Sequence, residues 1–479
     1  MNTMLFGKNG KKLRLLVTIA SFGEKNLSYL SRIIRRYRAM DLDVEIVVFS
    51  EAPKDVDGAD RVVVGLPSKN PWSLPFAHKA LLAENLDRFD LFAYSEDDIE
   101  VTQENIEAFL RVSSELREDE IAGFLRYEVS EAGEIFLPDC HAHFHWKPDS
   151  VRQRGDFTIA EFTNEHAAFY LLTQDQLRGA IASGGFLRDP CEGEYDMLCT
   201  AATDPYTNCG FRKIVCVRPL EDFLIHHMSN RYVGQLGVSM AAFQEQIQTL
   251  VQIGEGAHPA TVLCTSESKA LHREWSKSYY EQPFDELLEM IPSDFRTVLS
   301  IGCGSGATED QLRKRGALVT ALPLDSVIGA QAARRGLEVI YGSTDECLWR
   351  LNGREFDCVL TTDLLHLQPD PRGFLEQFSR FVRPGGALVI AGPNFDFAST
   401  FIKRVLQKSN CEGLSDFAIS GIRTIGPHEL LSHIRDIGFN TSSLRWYDRV
   451  KKPDLPRPIL KWFPSAASKR WIAQARRFS

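Results

Sequence analysis

The amino-acid sequence predicts an α/β protein with two domains, and two observations support this prediction. Apolar runs typical of buried strands alternate with helical apolar periodicity in the first part of the chain, and the alternation starts again near residue 297. The chain has 479 residues, whereas a single domain usually holds about 100–200. We therefore expect two α/β domains, with their boundary between residues 250 and 270.

The first part of the chain contains strand patterns that are apolar along most of their length. Buried parallel strands have this composition because helices cover both faces of their sheet. The predicted strands are RLLVTIASF from residue 14, VEIVVFSE at 44–51, RVVVG at 61–65 and DLFAYS at 90–95, with helices around Leu27–Tyr37 and at FAHKALLAENL. Shorter strand patterns follow over 121–172, including HAHFHW at 141–146, and then helices near 174–182 and 233–258.

The second part repeats the alternation with its own strands and helices. The predicted strands are TVLSIG at 297–302, ALVTAL at 317–322, LEVIYG at 337–342, FDCVLTT at 356–362 and ALVIAGP at 387–393, with a helix at TEDQLRKRG. The RPGG sequence at 383–386 is a strong turn signal before the last of these strands. The pattern predicts a second, largely parallel sheet.

Charge and cysteine usage exclude several classes of protein. The net charge of −9 argues against a general nucleic-acid-binding protein. No apolar run approaches the roughly 18 residues that cross a bilayer. The ten cysteines are scattered and include no C-x-x-C pair, which indicates reduced thiols and a cytoplasmic location.

The end of the chain has a different composition from the rest. Residues 451–479 hold eight Lys or Arg residues and one acidic residue, Asp454. Drawn as a helix, this segment places Trp471, Ile472 and Ala475 on one side and basic residues around the other. We expect a basic amphipathic tail that either makes peripheral contact with an anionic membrane or docks on the acidic body of the protein.

A glycine-rich loop follows the first strand of the second domain. VLSIGCGSGA places Gly302, Gly304 and Gly306 between an apolar strand and a helix. Glycine suits such a loop because the backbone turns sharply and approaches a ligand without a Cβ atom between them. The spacing G-x-G-x-G is not the G-x-G-x-x-G of dinucleotide-binding enzymes.

This loop, together with FDCVLTTDLLHLQPDP and FVRPGGALVIAGPNF, resembles the class I S-adenosylmethionine-dependent methyltransferases, which have a Rossmann-like fold. The resemblance implies that the three glycines lie under the methionine part of S-adenosylmethionine. It also implies that Asp363 lies beside the methyl-transfer site. Where the family usually has an acidic ribose ligand this sequence has Pro323, so Asp325 is the candidate, with a helix N-cap as its alternative role. Ser343 replaces the usual acid near the adenine.

The acidic triplet Glu96–Asp98 follows a strand of the first domain directly. Adjacent carboxylates repel each other unless they are solvated, paired with cations or bound to a metal such as Mg²⁺ or Mn²⁺. A metal bound there neutralises a diphosphate leaving group. A solvated turn or a helix N-cap is the alternative explanation.

The strand and helix order around this triplet resembles that of GT-A glycosyltransferases, whose D-x-D-type motif binds the metal of a nucleotide-sugar. The resemblance implies a divalent metal held by Asp97, Asp98 and His227, with a structural role as the alternative for His227. It further implies that an acid in EGEYD activates the acceptor hydroxyl. Glu194 is the first candidate, followed by Asp196 and Glu192, although acids before a helix also favour its positive N-terminus.

The sequence therefore predicts a bifunctional glycan-modifying enzyme. Residues 1–255 would be the GT-A-like domain, 256–450 the methyltransferase domain and 451–479 the tail. The first domain would transfer sugar from a nucleotide-sugar to a glycan acceptor, and the second would O-methylate, as in surface polysaccharide or glycoconjugate biosynthesis. The alternatives are a methyltransferase whose first domain only binds a glycan or a partner, and a scaffold in which both sites have decayed.

Overall fold

The computed structural model describes residues 5–7, 10–397, 414, 416–449 and 468–478. Contacts divide the chain into an N-terminal unit, Met1–Ala257, and a C-terminal unit, His258–Ser479. Within the described ranges no helix has both the length and the apolar character needed to span a membrane. The mixed α/β class predicted from the sequence is confirmed.

The N-terminal unit is built around a mostly parallel sheet. Its strands are β1 (Arg14–Ala20), β2 (Asp43–Ser50), β3 (Arg61–Val64), β4 (Leu91–Glu96), β5 (Ile99–Glu100), β6 (Glu120–Gly123), β7 (Leu125–Val129), β8 (Ile135–Leu137), β9 (Trp146–Arg154), β10 (Phe157–Phe162), β11 (Phe169–Thr173), β12 (Arg212–Arg218), β13 (Leu224–His227) and β14 (Val238–Ser239). The main sheet has the order β11-β4-β1-β2-β3, in which only β11 is antiparallel to its neighbour. β1 and β4 are buried nearly throughout, as their apolar sequences predict.

Helices cover this sheet, and two smaller sheets complete the unit. The helices are α1 (Leu27–Arg38), α2 (His78–Glu84), α3 (Gln103–Ser113), α4 (Gln174–Ala182), α5 (Met197–Thr207) and α6 (Met240–Gly254). α1 buries Leu30, Ile33, Ile34 and Tyr37, which are spaced along one helical face. The smaller sheets have the orders β6-β12-β10-β9 and β14-β8-β7-β13-β5.

The histidine-rich segment HAHFHW is not the strand that its alternation predicts. The segment is a turn, and β9 begins only at Trp146. Ala142 has a φ of +52°, and the ring Nδ1 of His141 lies 2.7 Å from the Pro138 carbonyl oxygen. This local turn interrupts the extended backbone that a strand requires.

The C-terminal unit contains a second α/β sheet. Its strands are β15 (Thr297–Cys303), β16 (Leu318–Pro323), β17 (Glu338–Val339), β18 (Phe356–Thr362), β19 (Val382–Pro393), β20 (Phe439–Arg449) and β21 (Ser468–Arg477). Its helices are α7 (Asp285–Met290), α8 (Ala307–Lys314), α9 (Ser326–Arg334), α10 (Thr344–Arg350), α11 (Pro371–Ser379), α12 (Phe417–Ser420) and α13 (Pro427–Asp436). The order β17-β16-β15-β18-β19-β21-β20 is parallel from β17 to β19, so these strands end at one edge.

The basic end of the chain forms a strand, so the predicted amphipathic helix is wrong. β21 lies between β19 and β20 and pairs antiparallel with both. Its apolar side chains are buried, among them Trp471, Ile472 and Ala475. Successive residues of a strand face opposite sides of a sheet, and here both sides are covered. Peripheral membrane contact stays a prediction for residues 451–467, which lie outside the described residues.

Candidate functional sites in the two units

Asp97 and Asp98 lie in the turn after β4, at the edge where the parallel strands of the N-terminal unit end. Both side chains are buried. The side-chain amide of Asn26 donates a 2.8 Å hydrogen bond to Asp97 Oδ1. Asp97 Oδ2 is buried and has no hydrogen-bond partner among the described residues, and burial raises the pKa of this carboxyl. One carboxylate oxygen of Asp97 is therefore available to a ligand.

His227, at the end of β13, faces two carboxylates. Its Nε2 lies 3.2 Å from Asp98 Oδ2, and its Nδ1 lies 2.6 Å from Glu128 Oε1. Burial alone would lower the pKa of His227, but the hydrogen bonds to Asp98 and Glu128 outweigh burial and raise this pKa to about 9.

A histidine must be neutral at a ring nitrogen to bind a metal, and both ring nitrogens of His227 are engaged. Within the residues that the structure describes, no three His, Cys, Asp or Glu side chains are grouped as a metal site. Asp98 and His227 lie together as an ion pair. This arrangement therefore does not fit a three-ligand metal site.

The EGEYD acids have different surroundings. Asp196 is the N-cap of α5, and its Oδ1 accepts a 2.9 Å hydrogen bond from the Cys199 backbone N–H. The capping alternative therefore accounts for Asp196. Glu192 is exposed, whereas Glu194 is half-buried.

Glu165 is a second acid beside Glu194 that the sequence does not single out. The Tyr195 hydroxyl donates a 2.6 Å hydrogen bond to Glu165 Oε2. Burial raises the pKa of Glu165 to about 7, and the charge of Glu194 adds to this effect although the Tyr195 hydrogen bond opposes it. A carboxyl with a pKa near neutrality suits general acid–base work.

Buried charges extend behind these acids. Arg126 Nε donates a 2.8 Å hydrogen bond to Asp139 Oδ1, and burial lowers the pKa of Lys213 to about 8. Burial, with the charge of Asp98, raises the pKa of Glu96 to about 8. Several side chains with shifted pKa values close together are characteristic of functional sites. No sequence signal identified Arg126, Asp139 or Lys213, since they are far apart along the chain.

In the C-terminal unit, the glycine-rich loop joins β15 to α8. Gly302 and Gly306 have φ values of +72° and +79°, which favour glycine. Gly304 lies against the chain at Tyr279, and a Cβ atom there would be 2.2 Å from the Tyr279 carbonyl oxygen. The same oxygen accepts a 3.1 Å hydrogen bond from the Ser305 N–H. Glycine is therefore favoured at Gly302 and Gly306 by the backbone conformation, and at Gly304 by the close contact with Tyr279.

Asp325, just after β16, is both a helix cap and a candidate ligand. Its Oδ1 accepts 2.8 Å hydrogen bonds from the N–H groups of Val327 and Ile328, at the start of α9. Its Oδ2 is buried and has no partner among the residues described. Burial raises the pKa of Asp325 to about 7. The two roles that the sequence leaves open are therefore compatible, because each uses a different oxygen.

Ser343 caps α10 and forms a capping box with Glu346. Its hydroxyl oxygen accepts from the Glu346 N–H over 3.4 Å, and the Ser343 N–H donates to Glu346 Oε2 over 2.7 Å. Ser343, at the position where the resemblance expects an acid near the adenine, therefore acts as a helix cap.

Asp363 and His366 follow β18. Asp363 has a φ of +51° and pairs with the Arg470 guanidinium through Oδ2, while its buried Oδ1 has no partner in the described part of the chain. His366 Nε2 lies 2.7 Å from the Trp275 carbonyl oxygen, and burial lowers its pKa to about 4. These contacts give His366 a structural role.

The C-terminal unit fits the S-adenosylmethionine that the sequence resemblance implies. The Cβ directions of Gly302, Gly304 and Gly306 face atoms of this chain. The feature that points to a ligand is Asp325 Oδ2, a buried acceptor that has no partner among the described residues. Beyond Asp363, a cavity of about 760 Å³ opens where β18 and β19 end and β21 begins. This volume is typical of small-molecule sites.

Comparisons with known proteins concern a methyltransferase domain. A family model described as a methyltransferase domain matches residues 272–444, which lie within the C-terminal unit. The ubiquinone biosynthesis O-methyltransferase of Stutzerimonas stutzeri is 29% identical over 185 residues, or 35% of this chain and 78% of that protein. The enzyme of the same description from Aromatoleum aromaticum is 27% identical over 199 residues, or 37% of this chain and 81% of its own.

Two solved structures were also found. An S-adenosylmethionine-dependent methyltransferase from Mesorhizobium loti is 17% identical, covers 40% of this chain and 96% of its own, and has a TM-score of 0.30. The N-methyltransferase NodS from Bradyrhizobium japonicum, in complex with S-adenosyl-L-homocysteine, is 14% identical, covers 40% of this chain and 84% of its own, and has a TM-score of 0.29.

Proposed function

We propose that the C-terminal unit, whose residues 272–444 form a methyltransferase domain, moves a methyl group from S-adenosylmethionine to a hydroxyl oxygen. The supporting observation is Asp325 Oδ2, which lies just after β16 and is buried with no partner among the described residues. When bound, S-adenosylmethionine supplies a methyl group on a sulfonium sulfur, and transfer leaves S-adenosylhomocysteine and the proton of the acceptor hydroxyl.

The residues of this chain have separate tasks in the proposed reaction. The glycine loop lets backbone approach the methionine part, and Asp325 Oδ2 accepts a hydrogen bond from a ribose hydroxyl. Asp363 accepts a hydrogen bond from a ligand through Oδ1, which has no partner in the described part of the chain. His366 is buried and bound to the Trp275 carbonyl, so it orders the chain rather than moving a proton. The rate then depends mainly on aligning the hydroxyl with the methyl group.

Adding S-adenosylmethionine is expected to stabilise the purified full chain against thermal unfolding. A ligand at 100 times its dissociation constant stabilises by about 2.7 kcal/mol if it binds only the folded state. The measurement is the unfolding midpoint with S-adenosylmethionine and with adenosine monophosphate as the control nucleotide. The same protein should transfer labelled methyl groups to hydroxylated acceptors. An unchanged midpoint together with no labelled product would refute methyl transfer.

We further propose that the N-terminal unit is a GT-A-type domain that transfers sugar from a nucleotide-sugar to a glycan acceptor. The chain would then be bifunctional and would act in polysaccharide or glycoconjugate biosynthesis. Asp97 Oδ2, which follows β4 and is buried with no partner among the residues that the structure describes, supports this proposal. The Glu165 and Tyr195 pair supplies an acid with a pKa of about 7 beside Glu194. The alternative is a unit that binds a glycan or a partner without catalysis.

Replacing Asp97 with Asn should weaken nucleotide-sugar binding at least tenfold, because an amide cannot supply the second carboxylate oxygen. Calorimetry with UDP- and GDP-linked sugars, with and without Mn²⁺, measures this loss and any metal requirement. Asp87→Asn is the matched control, since Asp87 is an exposed aspartate of the same unit. If none of these nucleotide-sugars binds the unaltered chain under either condition, the result contradicts sugar transfer from them and favours the non-catalytic alternative.

A further inference from the structure

The loop before β11 lies beside the turn that follows β4 and holds the acidic triplet. β11 is antiparallel to β4, with Phe169 opposite Ser95, and the Glu96 N–H donates a 3.0 Å hydrogen bond to the Ala168 carbonyl oxygen. The chain therefore enters β11 at the edge of the sheet where β4 ends. Glu165 lies in this loop and is partly exposed, so a ligand at this edge has access to it.

Buried partners fix the backbone on both sides of Glu165. Lys213 Nζ donates a 3.0 Å hydrogen bond to the Asn164 carbonyl oxygen, and the Asn164 side-chain amide donates a 3.0 Å hydrogen bond to the Asp139 carbonyl oxygen. The His166 N–H donates to Asn164 Oδ1 over 3.1 Å. Lys213, Asn164 and Asp139 are all buried. Such support from neighbouring groups is what holds a catalytic side chain in place.

Tyr195 orients the carboxyl group of Glu165. Its hydroxyl donates a 2.6 Å hydrogen bond to Glu165 Oε2 and accepts a 3.0 Å hydrogen bond from the Glu165 N–H. Tyr195 is buried, and a tyrosine ring packed in this way has little freedom to move its hydroxyl. The carboxyl group is therefore held through Oε2, and Oε1 is the oxygen that Tyr195 does not bind.

Neighbouring groups set the protonation of Glu165. Burial raises the pKa of Glu165 to about 7, and the charge of Glu194 adds to this effect. The Tyr195 hydrogen bond and the charge of Lys213, on β12, act in the opposite direction on this pKa. Tyr206, on α5, also faces Glu165, and burial with the Glu165 charge raises the pKa of its hydroxyl. A general base has to gain and lose a proton near the working pH.

We propose that Glu165, rather than an acid of EGEYD, takes the proton of the acceptor hydroxyl, and that Tyr195 is a positioning residue. This inference rests on the proposed sugar transfer and names the residue that activates its acceptor. Asp196 already uses Oδ1 to cap α5. Glu194 acts on the reaction through its charge, which makes Glu165 a stronger base.

The proton transfer is one part of a balanced step. The acceptor hydroxyl oxygen forms a bond to the anomeric carbon of the donor sugar, and the bond from that carbon to the diphosphate oxygen breaks. The nucleoside diphosphate leaves with the electron pair of the broken bond. The hydroxyl proton passes to the ionised carboxylate of Glu165, which afterwards releases it to water.

The test measures release of nucleoside diphosphate by the full chain from a panel of UDP- and GDP-linked sugars, with methyl α-glucopyranoside and methyl α-mannopyranoside as acceptors. Glu165→Gln should lower kcat at least about 100-fold, the lower limit of what a positioned general base contributes. Calorimetry should show unchanged donor affinity, because the glutamine oxygen can still accept the Tyr195 hydrogen bond. Glu131→Gln is the matched control and should keep full turnover, since Glu131 is an exposed glutamate of the same unit.

The pH profile of kcat distinguishes proton transfer from a merely structural role. The rate of the unaltered chain should fall as the pH drops below the Glu165 pKa of about 7, because the protonated carboxyl cannot accept a proton. Tyr195→Phe removes a hydrogen bond that lowers this pKa, so the acid limb of the profile should move to higher pH. Glu194→Gln removes a charge that raises this pKa, so the limb should move to lower pH.

The outcomes separate this inference from the proposed function. If a folded Glu165→Gln protein transfers sugar normally, or if the Tyr195→Phe and Glu194→Gln profiles do not shift in opposite directions, the inference is wrong and sugar transfer stands. If the unaltered chain transfers from none of the donors, sugar transfer fails and the inference fails with it. If thermal unfolding shows that Glu165→Gln is not folded, Glu165→Asp replaces it. This variant keeps a carboxylate and should turn over more slowly with unchanged donor affinity, and normal turnover would overturn the assignment.

Discussion

Gly304→Ala is expected to lower methyl transfer by the C-terminal unit at least about 100-fold, the cost that a displacement of roughly 1 Å at a reacting centre can have. The Cβ atom would lie 2.2 Å from the carbonyl oxygen of Tyr279. That oxygen belongs to backbone, and Tyr279 is a buried core residue, so the glycine loop has to move instead. The φ of Gly304 is not in the left-handed region, so the effect is steric rather than conformational.

The variant is compared with Gly426→Ala, in the same unit. Gly426 has a φ of −92°, and nothing lies within 4 Å of a Cβ atom built there. Labelled methyl transfer and the unfolding midpoint are measured for both proteins. We expect Gly304→Ala to remain folded, with a loss of stability of about 1–3 kcal/mol, and to lose cofactor binding. A folded Gly304→Ala protein with normal turnover would show that the loop does not hold the cofactor.

Asp325→Asn is expected to make the protein more stable at pH 8 while weakening S-adenosylmethionine binding about 10-fold or more, an estimate based on the loss of one charge-assisted hydrogen bond. Asparagine caps a helix as well as aspartate does, so α9 keeps its cap. An amide has only one oxygen. When this oxygen caps α9, an amide N–H group, which is a donor, stands in place of the buried Oδ2 acceptor. A residue whose removal stabilises the fold but damages binding is typical of a ligand site.

The pH dependence follows from the pKa of Asp325. Burial raises this pKa to about 7, whereas an aspartate in an unfolded chain titrates near ~3.9. Between these values the folded chain binds more protons than the unfolded chain, so its stability falls as the pH rises from about 4 to about 7. The stabilisation by Asp325→Asn should be on the order of 1–4 kcal/mol at pH 8 and disappear near pH 4.

Asp370→Asn is the matched control for this prediction. Asp370 is the N-cap of α11, accepts a 3.0 Å hydrogen bond from the Gly373 N–H and is exposed. Its replacement should change stability little at either pH. Denaturant unfolding at pH 4 and pH 8 measures both variants. If the effect of Asp325→Asn on stability did not depend on pH, ionisation of the buried Asp325 carboxyl would not destabilise the folded chain.

Local sequence patterns were sufficient for the elements that place the sites. The apolar run ending at Glu96 and the run before Gly302 are strands, as predicted. The residues after them lie at the carboxyl edges of the parallel strands. The glycine spacing marked a loop in which Gly302, Gly304 and Gly306 are each required by φ or by contact. The strands and the glycine spacing depend on residues that are neighbours along the chain, whereas the contacts that require Gly304 come from the distant Tyr279.

The basic end of the chain shows where local pattern fails. Trp471, Ile472 and Ala475 fit one face of a helix and also fit a strand whose two faces are covered. Hydrogen bonding to β19 and β20 decides that this segment is a strand rather than a helix. Because the segment forms β21, Arg470 contacts Asp363, a residue far from it in the sequence.

The sequence by itself determined the α/β class, the strand that precedes each candidate site and the methyltransferase resemblance of the second domain. Tertiary structure alone decided which oxygen of Asp325 and of Asp363 has no partner among the described residues. It also decided that His227 pairs with Asp98 and Glu128, and that Glu165 acquires a pKa of about 7. The reason is physical. Strand and turn formation depend on neighbouring residues, whereas burial, pKa and hydrogen-bond partners depend on side chains that only folding brings together.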